Sequence, residues 1–195
     1  MAYATLAQLR AYLNIAAADT SDDVLLGQLI DDAKQLIDSY CGWAFEASAP
    51  TTRYYDPLRD VDERDRLLLH LDEPLLTLTT LTNGDASVVT AAQYYLEPTN
   101  MTPKWGIRLR SSTGLSWTYT TDAEQAISVL GTWGYSATPD DAIQRACIRW
   151  AAYLYRQRDA QVFDVTAQPG EGIITVPQGI PRDVERILAS YRRTC

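Results

Sequence analysis

The chain has 195 residues, of which 46% are hydrophobic and 22% charged. This composition predicts an ordinary soluble protein with one sizeable core, or a core carrying an inserted subdomain. A net charge of -8 argues against a general nucleic-acid binder, because phosphate affinity comes from clustered Lys and Arg.

The charge is unevenly spread. Residues 1–141 hold 9 Lys and Arg against 20 Asp and Glu, net -11, whereas residues 142–195 hold 8 Arg against 5 acids, net +3. One end of such a chain is suited to binding the other end of a neighbour. Cys41, Cys147 and Cys195 are odd in number and lack C-x-x-C spacing, so neither a disulfide framework nor a zinc site is expected, and a reducing cytosol is the expected birthplace. The N-terminus has no basic leader and is interrupted by Arg10, which argues against a signal peptide. No apolar run approaches the roughly 20 residues that cross a bilayer.

In chain order, Thr5 to Leu13 predicts a short helix with Leu6, Leu9 and Leu13 on one side and Asn14 as its stop. A second helix follows, capped by Thr20 or Ser21. Asp22 and Asp23 lie in its first turn, its apolar positions run from Leu25 to Tyr40, and Cys41-Gly42 ends it. Gly27 inside that helix suggests either close approach of a neighbouring helix or a tolerated accident.

From Pro50 to Tyr135 the period changes from 3.6 to 2. Arg53–Tyr55, Leu67–Leu71, Leu75–Thr82, Tyr94–Leu96, Ile107–Arg110, Trp117–Thr120 and Ala126–Trp133 are strand candidates rich in β-branched and aromatic residues. Asn83-Gly84 predicts a type I′ hairpin. Turn signals, with Pro74, Pro98 and Pro103 at strand edges, imply a small antiparallel sandwich or barrel inserted between helices.

The clearest helix comes next, from Pro139 to Asp159. Ile143, Ala146, Cys147, Trp150, Ala151 and Leu154 share one face, and Arg145, Arg149 and Arg156 form a basic stripe on the other. Thr138 is placed to cap it, Pro139 fits the first turn, Asp140 and Asp141 suit the positive end of the macrodipole, and Arg156 and Arg158 suit the negative end. Gln161 to Gly179 reads as a long hairpin or a mobile arm. A final helix from Pro181 is amphipathic, with Val184, Ile187, Leu188 and Tyr191 on one face and Arg182, Arg186, Arg192 and Arg193 around it. The fold class expected is α+β: a helical bundle of about four helices with an inserted antiparallel β domain, organised as residues 1–49, 50–136 and 137–195.

The inventory leaves little chemistry. His70, set among leucines, is the one histidine, and no nucleophile signature accompanies it, so a catalytic triad or a histidine metal site is not expected. The acidic run Asp56, Asp60, Asp62, Glu63 and Asp65 is interleaved with Arg59, Arg64 and Arg66 and lacks the calcium-loop pattern. Asp22 with Asp23, and Asp31 with Asp32, read as dipole partners and solvent face rather than as general acid and base. Gly170-Glu171-Gly172 has neither the Lys nor the further glycines of a phosphate loop. No catalytic residue, metal ligand or cofactor is assigned. The aromatic residues of the β segment, Trp105 and Trp117 among them, suit a core and interface, or else the platform of a carbohydrate-binding β module on a helical stalk. A hydrolase using paired carboxylates is a further alternative, without a cleft to support it.

The order of parts is more informative. Thr-Leu-Ala-Gln-Leu-Arg-Ala-Tyr-Leu, an Asp-Asp-x-Leu-Leu helix ending in Tyr-Cys-Gly-Trp-Ala-Phe, a β insert with Gln-Tyr-Tyr-Leu-Glu-Pro, Gly-Thr-Trp-Gly-Tyr-Ser-Ala-Thr-Pro-Asp-Asp-Ala-Ile, and a closing Val-Pro-Gln-Gly-Ile-Pro-Arg-Asp-Val-Glu-Arg-Ile-Leu-Ala-Ser-Tyr-Arg-Arg follow one another. Together they resemble tailed-phage head-tail connector proteins, specifically the phiE125 gp8-like adaptors found also in gene transfer agents. The resemblance covers nearly the whole chain.

It implies a non-enzymatic virion protein made in the bacterial host cytoplasm. Such a protein forms a ring, typically a dodecamer, beneath the portal protein and extends the DNA channel toward a stopper or tail-completion protein. DNA would pass without sequence-specific binding, and no membrane is involved. By position, the portal-docking element would be Pro181 to Cys195, with Val184, Ile187, Leu188 and Tyr191 as apolar anchors and Arg186, Arg192 and Arg193 reaching acidic portal surface. Arg145, Arg149 and Arg156 are expected to face a neighbouring subunit or the portal.

Overall fold

The computed structural model describes residues 2–160 and 179–193, with side chains given as far as Gln157 in the first stretch. Of the arm expected at Gln161 to Gly179, residues 161–178 lie outside the described residues, as do the side chain of Arg158 and Cys195. The chain forms two compact units, one from Met1–Trp43 with Pro139–Cys195 and one from Ala44–Thr138.

The first unit is helical: α1 (Leu6–Leu13), α2 (Asp23–Cys41), α3 (Asp141–Ala160) and α4 (Arg182–Leu188), the last running into a 3₁₀ turn at Ala189–Tyr191. Thr5 and Gln8 form a capping box at the start of α1, and Asn14 ends it in the left-handed conformation. The start of α2 differs from expectation. Asp22 occupies the N-cap without a side-chain cap bond, because its Oδ2 accepts instead from the Tyr155 hydroxyl at 2.6 Å and joins α2 to α3. At α3 the cap is Asp140, not Thr138: Asp140 Oδ1 accepts the Ile143 amide at 2.8 Å. A Cβ at Gly27 would meet nothing within 4 Å, so no helix approaches there and the glycine is merely tolerated.

Leu9, Leu26, Ile30, Ala33, Ile37, Cys41, Ile143, Ala146, Cys147, Trp150, Ala151, Val184 and Leu188 are buried. The apolar stripe on α3 therefore faces inward as its periodicity requires, packing chiefly on α2, while Leu154 is half-buried. Cys147 Sγ points at the Ile30 carbonyl at 3.8 Å within this seam.

The second unit is one antiparallel sheet of β1 (Thr51–Tyr55), β2 (Leu68–Thr82), β3 (Tyr94–Glu97), β4 (Lys104–Leu109) and β5 (Ile127–Trp133), in the order β1-β5-β2-β4-β3. It is open rather than a sandwich or a closed barrel. The core under Leu69, Leu75, Leu81, Ile107, Ile127, Val129 and Trp133 is covered by loop residues Val61, Val89, Leu115 and Trp117, so no second sheet is needed to bury it. Strict alternation along β5 places every other residue in that core.

Three strand expectations are corrected. Leu67–Leu71 and Leu75–Thr82 are one strand, β2, that pairs with β4 in its first part and with β5 in its second. Pro74 sits at the hand-over, where a missing N–H is tolerated because the register shifts there, and its carbonyl still accepts from Gly134 at 2.9 Å. Trp117–Thr120 is not a strand; Tyr119 makes only a lone parallel bridge to Gly84. Asn83-Gly84 is not a type I′ turn either, since the positive φ of that turn belongs to Ala86 at 63°. Asn83 is 3% exposed. Its Nδ2 donates to the Ser116 carbonyl at 2.9 Å, and its Oδ1 accepts from Gly84 at 2.9 Å and Thr118 at 3.2 Å. One side chain thus replaces the ladder that segment 116–118 would otherwise need.

Candidate interaction surface of the helical unit

The side chains singled out by sequence for docking lie in the helical unit and divide into two groups. Val184 and Leu188 are fully buried in the unit's own core, and Ile187 and Tyr191 are half-buried. Arg186, Arg192 and Arg193 are exposed.

The C-terminal segment is latched at several points. Arg149 pairs with Asp183. The Tyr191 hydroxyl donates to Asp140 Oδ2 at 2.5 Å. The Arg193 amide donates to the Cys41 carbonyl at 2.9 Å, and the Arg192 guanidinium lies 5.7 Å from the centre of the Tyr40 ring. This last arrangement has a physical logic. The final turn of α2 contains no basic residue, and Gly42 ends it at φ 83°. The two arginines bring a donor and positive charge to the negative end of the α2 dipole.

Val184 and Leu188 are therefore what hold α4 to its own bundle, and Arg182, Glu185 and Arg186 lie on its outward side. An amphipathic pattern in a short terminal helix reads the same whether the apolar face meets a partner or the parent fold, so sequence could not distinguish the two.

On α3, Arg145, Arg149 and Arg156 are exposed along the stripe opposite the buried one. Arg149 is paired in its own chain to Asp183, whereas Arg145 and Arg156 form no ion pair among the described residues. Arg149, Arg156, Ala152, Tyr153, Pro181, Asp183 and Tyr12 outline a shallow hollow. Tyr12, which sequence reasoning passed over, is 48% exposed there, and its place outside the Leu6-Leu9-Leu13 stripe was the available signal.

Elsewhere the polar groups serve the fold. His70 is exposed and lies 3.1 Å from Asp62. Arg59 pairs with Asp60, and Arg108 bridges Asp65 and Glu97. Most of the acidic run in the β1–β2 loop is thereby spent on turns and ion pairs. Hydrogen bonds from Ser87 hold the Asp85 carboxyl below the ordinary range. No group of three His, Cys, Asp or Glu suited to a metal ion occurs among the described residues. Burial pushes the thiols of Cys41 and Cys147 up to about 12. Both cysteines are free and buried, an environment for packing rather than nucleophilic chemistry.

The aromatic residues of the sheet are largely consumed in packing. Trp133 is buried and its indole N–H donates to Thr51 at 2.9 Å; that of Trp117 donates to Leu67 at 2.9 Å. Tyr55 is buried with its hydroxyl on Asp72 at 2.8 Å, and burial followed by that bond raises its pKa. Tyr54 and Tyr119 are exposed, and half-buried Trp105 lines a hollow with Leu68, His70, Glu97 and Pro98.

The chain thus combines a helical bundle with an inserted open antiparallel sheet. The fold is similar to a chain described as the neck of an empty gene transfer agent particle, with 15% identity, a TM-score of 0.57 and coverage of 97% of this chain and 89% of that one. It is also similar to a chain of the virion of a native gene transfer agent particle, at 16% identity, TM-score 0.55 and the same 97% and 89% coverage. No curated protein matches the sequence. The chain belongs to the head completion protein family, which it matches over residues 3–194. It is accordingly a structural protein of the head-to-tail connection of a phage-like particle.

Proposed function

We propose that the protein is a head-to-tail adaptor that binds the portal protein as a ring of identical subunits, typically twelve, and extends the DNA channel toward a stopper or tail-completion protein. The observation that carries this reading is family membership across almost the entire chain, including both halves of the helical unit. The protein is made in the host cytoplasm and ends at the head-tail junction of the virion. It acts by assembly, not by catalysis.

In this reading the portal is met by the cationic exterior of the C-terminal segment. Arg186, Arg192 and Arg193 reach acidic portal surface, while Val184 and Leu188 keep the helix in place and Ile187 and Tyr191 border the contact. The net charge of -8 suits a channel through which DNA slides without sequence-specific binding, because excess positive charge would hold the phosphates. Arg145, Arg149 and Arg156 contact a neighbouring subunit.

The test is imaging of the full chain mixed with its portal protein. Rings seated on the portal are expected, and Arg186→Glu, which leaves the Arg192 and Arg193 contacts with α2 in place, is expected to keep the fold but weaken seating. Absence of rings, alone and with portal, overturns the reading.

A further inference from the structure

The helical unit offers two surfaces that complement each other and that stay unmatched among the described residues. The first lies beside the α2–α3 seam. A groove of about 400 Å³ is lined by Leu36, Tyr40, Trp150, Tyr153, Leu154 and Ile180, and it continues into a hollow bounded by Asp32, Gln35 and Leu36. Leu36 is 41% exposed at this site. Asp31 and Asp32 are exposed on the outer side of α2, opposite the buried Leu26, Ile30, Ala33 and Ile37, and neither forms an ion pair among the described residues.

The second surface is the hollow on the α1, α3 and α4 side. There Tyr12 projects among Arg149 and Arg156, with Arg145 one turn earlier on the same stripe. Tyr153 of α3 lines both hollows, so the two surfaces adjoin along that helix. Among the described residues Arg145 and Arg156 form no ion pair with Asp31 or Asp32 of the same copy. One surface is an apolar groove with Asp32 at its edge, and the other is an aromatic projection beside Arg149, which pairs with Asp183, and Arg156, which forms no ion pair among the described residues.

We infer that these surfaces are the two halves of a head-to-tail contact between copies of this chain: Tyr12 of one copy enters the α2–α3 groove of the next, and Arg145 and Arg156 reach Asp31 and Asp32. The occupant is a second copy because both the apolar and the charged complement to the groove occur together on this same chain. Contacts between unlike surfaces repeat from copy to copy and close into a ring when the rotation permits. A tyrosine seated in a pocket supplies buried area at low entropic cost, and the flanking charges fix orientation and exclude other registers. The inference rests on the ring reading above and specifies which faces meet.

The experiment is charge exchange on the full chain, read by mass photometry and by imaging with and without portal. Asp31→Arg with Asp32→Arg, and separately Arg145→Glu with Arg156→Glu, are each expected to weaken association by more than about tenfold, since like charges then face each other. All four residues are exposed, so circular dichroism and melting should stay close to the parent. Combining the four substitutions in one chain is expected to restore rings, and Tyr12→Ala is expected to weaken them in the parent background. Rings that form normally in both charge-reversed variants, or that fail to return in the combined one, overturn this contact while the ring reading stands. A parent protein that forms no rings, even on its portal, overturns both. A disulfide forming within one chain between Leu36→Cys and Ile174→Cys, in a Cys195→Ser background, would assign the groove to residues 161–178 and also overturn the inference.

Discussion

The Tyr191 hydroxyl donates to Asp140 Oδ2 at 2.5 Å while Asp140 Oδ1 accepts the Ile143 amide at 2.8 Å, so one carboxylate both starts α3 and receives the end of the chain. Residues 51 positions apart are thus coupled through a helix cap. Loosening the C-terminal turn loosens the N-terminus of the central helix.

That coupling predicts a graded pair of effects. Tyr191→Phe removes one hydrogen bond to a charged acceptor and should lower the stability of the helical unit by about 1 kcal/mol. Asp140→Ala removes that bond and the cap together and should cost about 2 kcal/mol. Urea unfolding followed by circular dichroism at the helix band measures both, and a Tyr191→Phe loss as large as that of Asp140→Ala would contradict the shared role.

Stability and docking should separate within α4. Leu188→Ala opens a cavity in the bundle and should cost about 2–5 kcal/mol. Arg186→Ala touches only the exposed side and should change stability by less than about 0.5 kcal/mol while weakening attachment to portal. Thermal melting beside a portal pull-down distinguishes them. Equal stability loss in both variants would place Arg186 inside the fold.

The β unit has its own keystone. Asn83→Ala strips three hydrogen bonds from the 83–87 turn and the 116–118 segment, leaving buried backbone groups unmatched, at a cost of about 2–4 kcal/mol. Hydrogen exchange should quicken first at Gly84 and Thr118. Gly84→Ala should be worse still, because its Cβ would fall 2.1 Å from the Thr118 carbonyl oxygen.

The two buried thiols give a pH-dependent prediction. Burial raises Cys41 and Cys147 from 9.0 to about 12, so both stay protonated in the fold while their unfolded counterparts ionise. Folded pKa values above the unfolded ones mean that this stabilising difference is whole below about pH 9 and is lost progressively as pH rises toward 12. Iodoacetamide at pH 8 should leave both unmodified in the native protein and label them in urea, as mass spectrometry of the digested chain would report. Rapid native labelling at either position would contradict the burial.

Periodicity alone located all four helices, because an amphipathic stripe must be buried and spacing reveals which residues form it: Ile143, Ala146, Cys147, Trp150 and Ala151 could face only inward. It also marked the exchange of period 3.6 for period 2 on entering the β segment, and the inventory left a single histidine with no partner for hydrolytic chemistry. Local pattern failed wherever a distant group supplied the hydrogen bond. Asp22 turned from its cap to Tyr155, and Asn83 satisfied 116–118 in place of a strand, and nothing in the neighbouring sequence specifies such partners, whereas Asp140 displaced Thr138 as one of two neighbouring caps. Tertiary structure also decided where the apolar face of α4 packs. Its spacing established an apolar face, but only packing revealed that Val184 and Leu188 meet their own bundle while Arg182, Glu185 and Arg186 remain outside. Hydrophobic burial is non-directional, so sequence dictates that a face is covered, and the three-dimensional arrangement dictates by what.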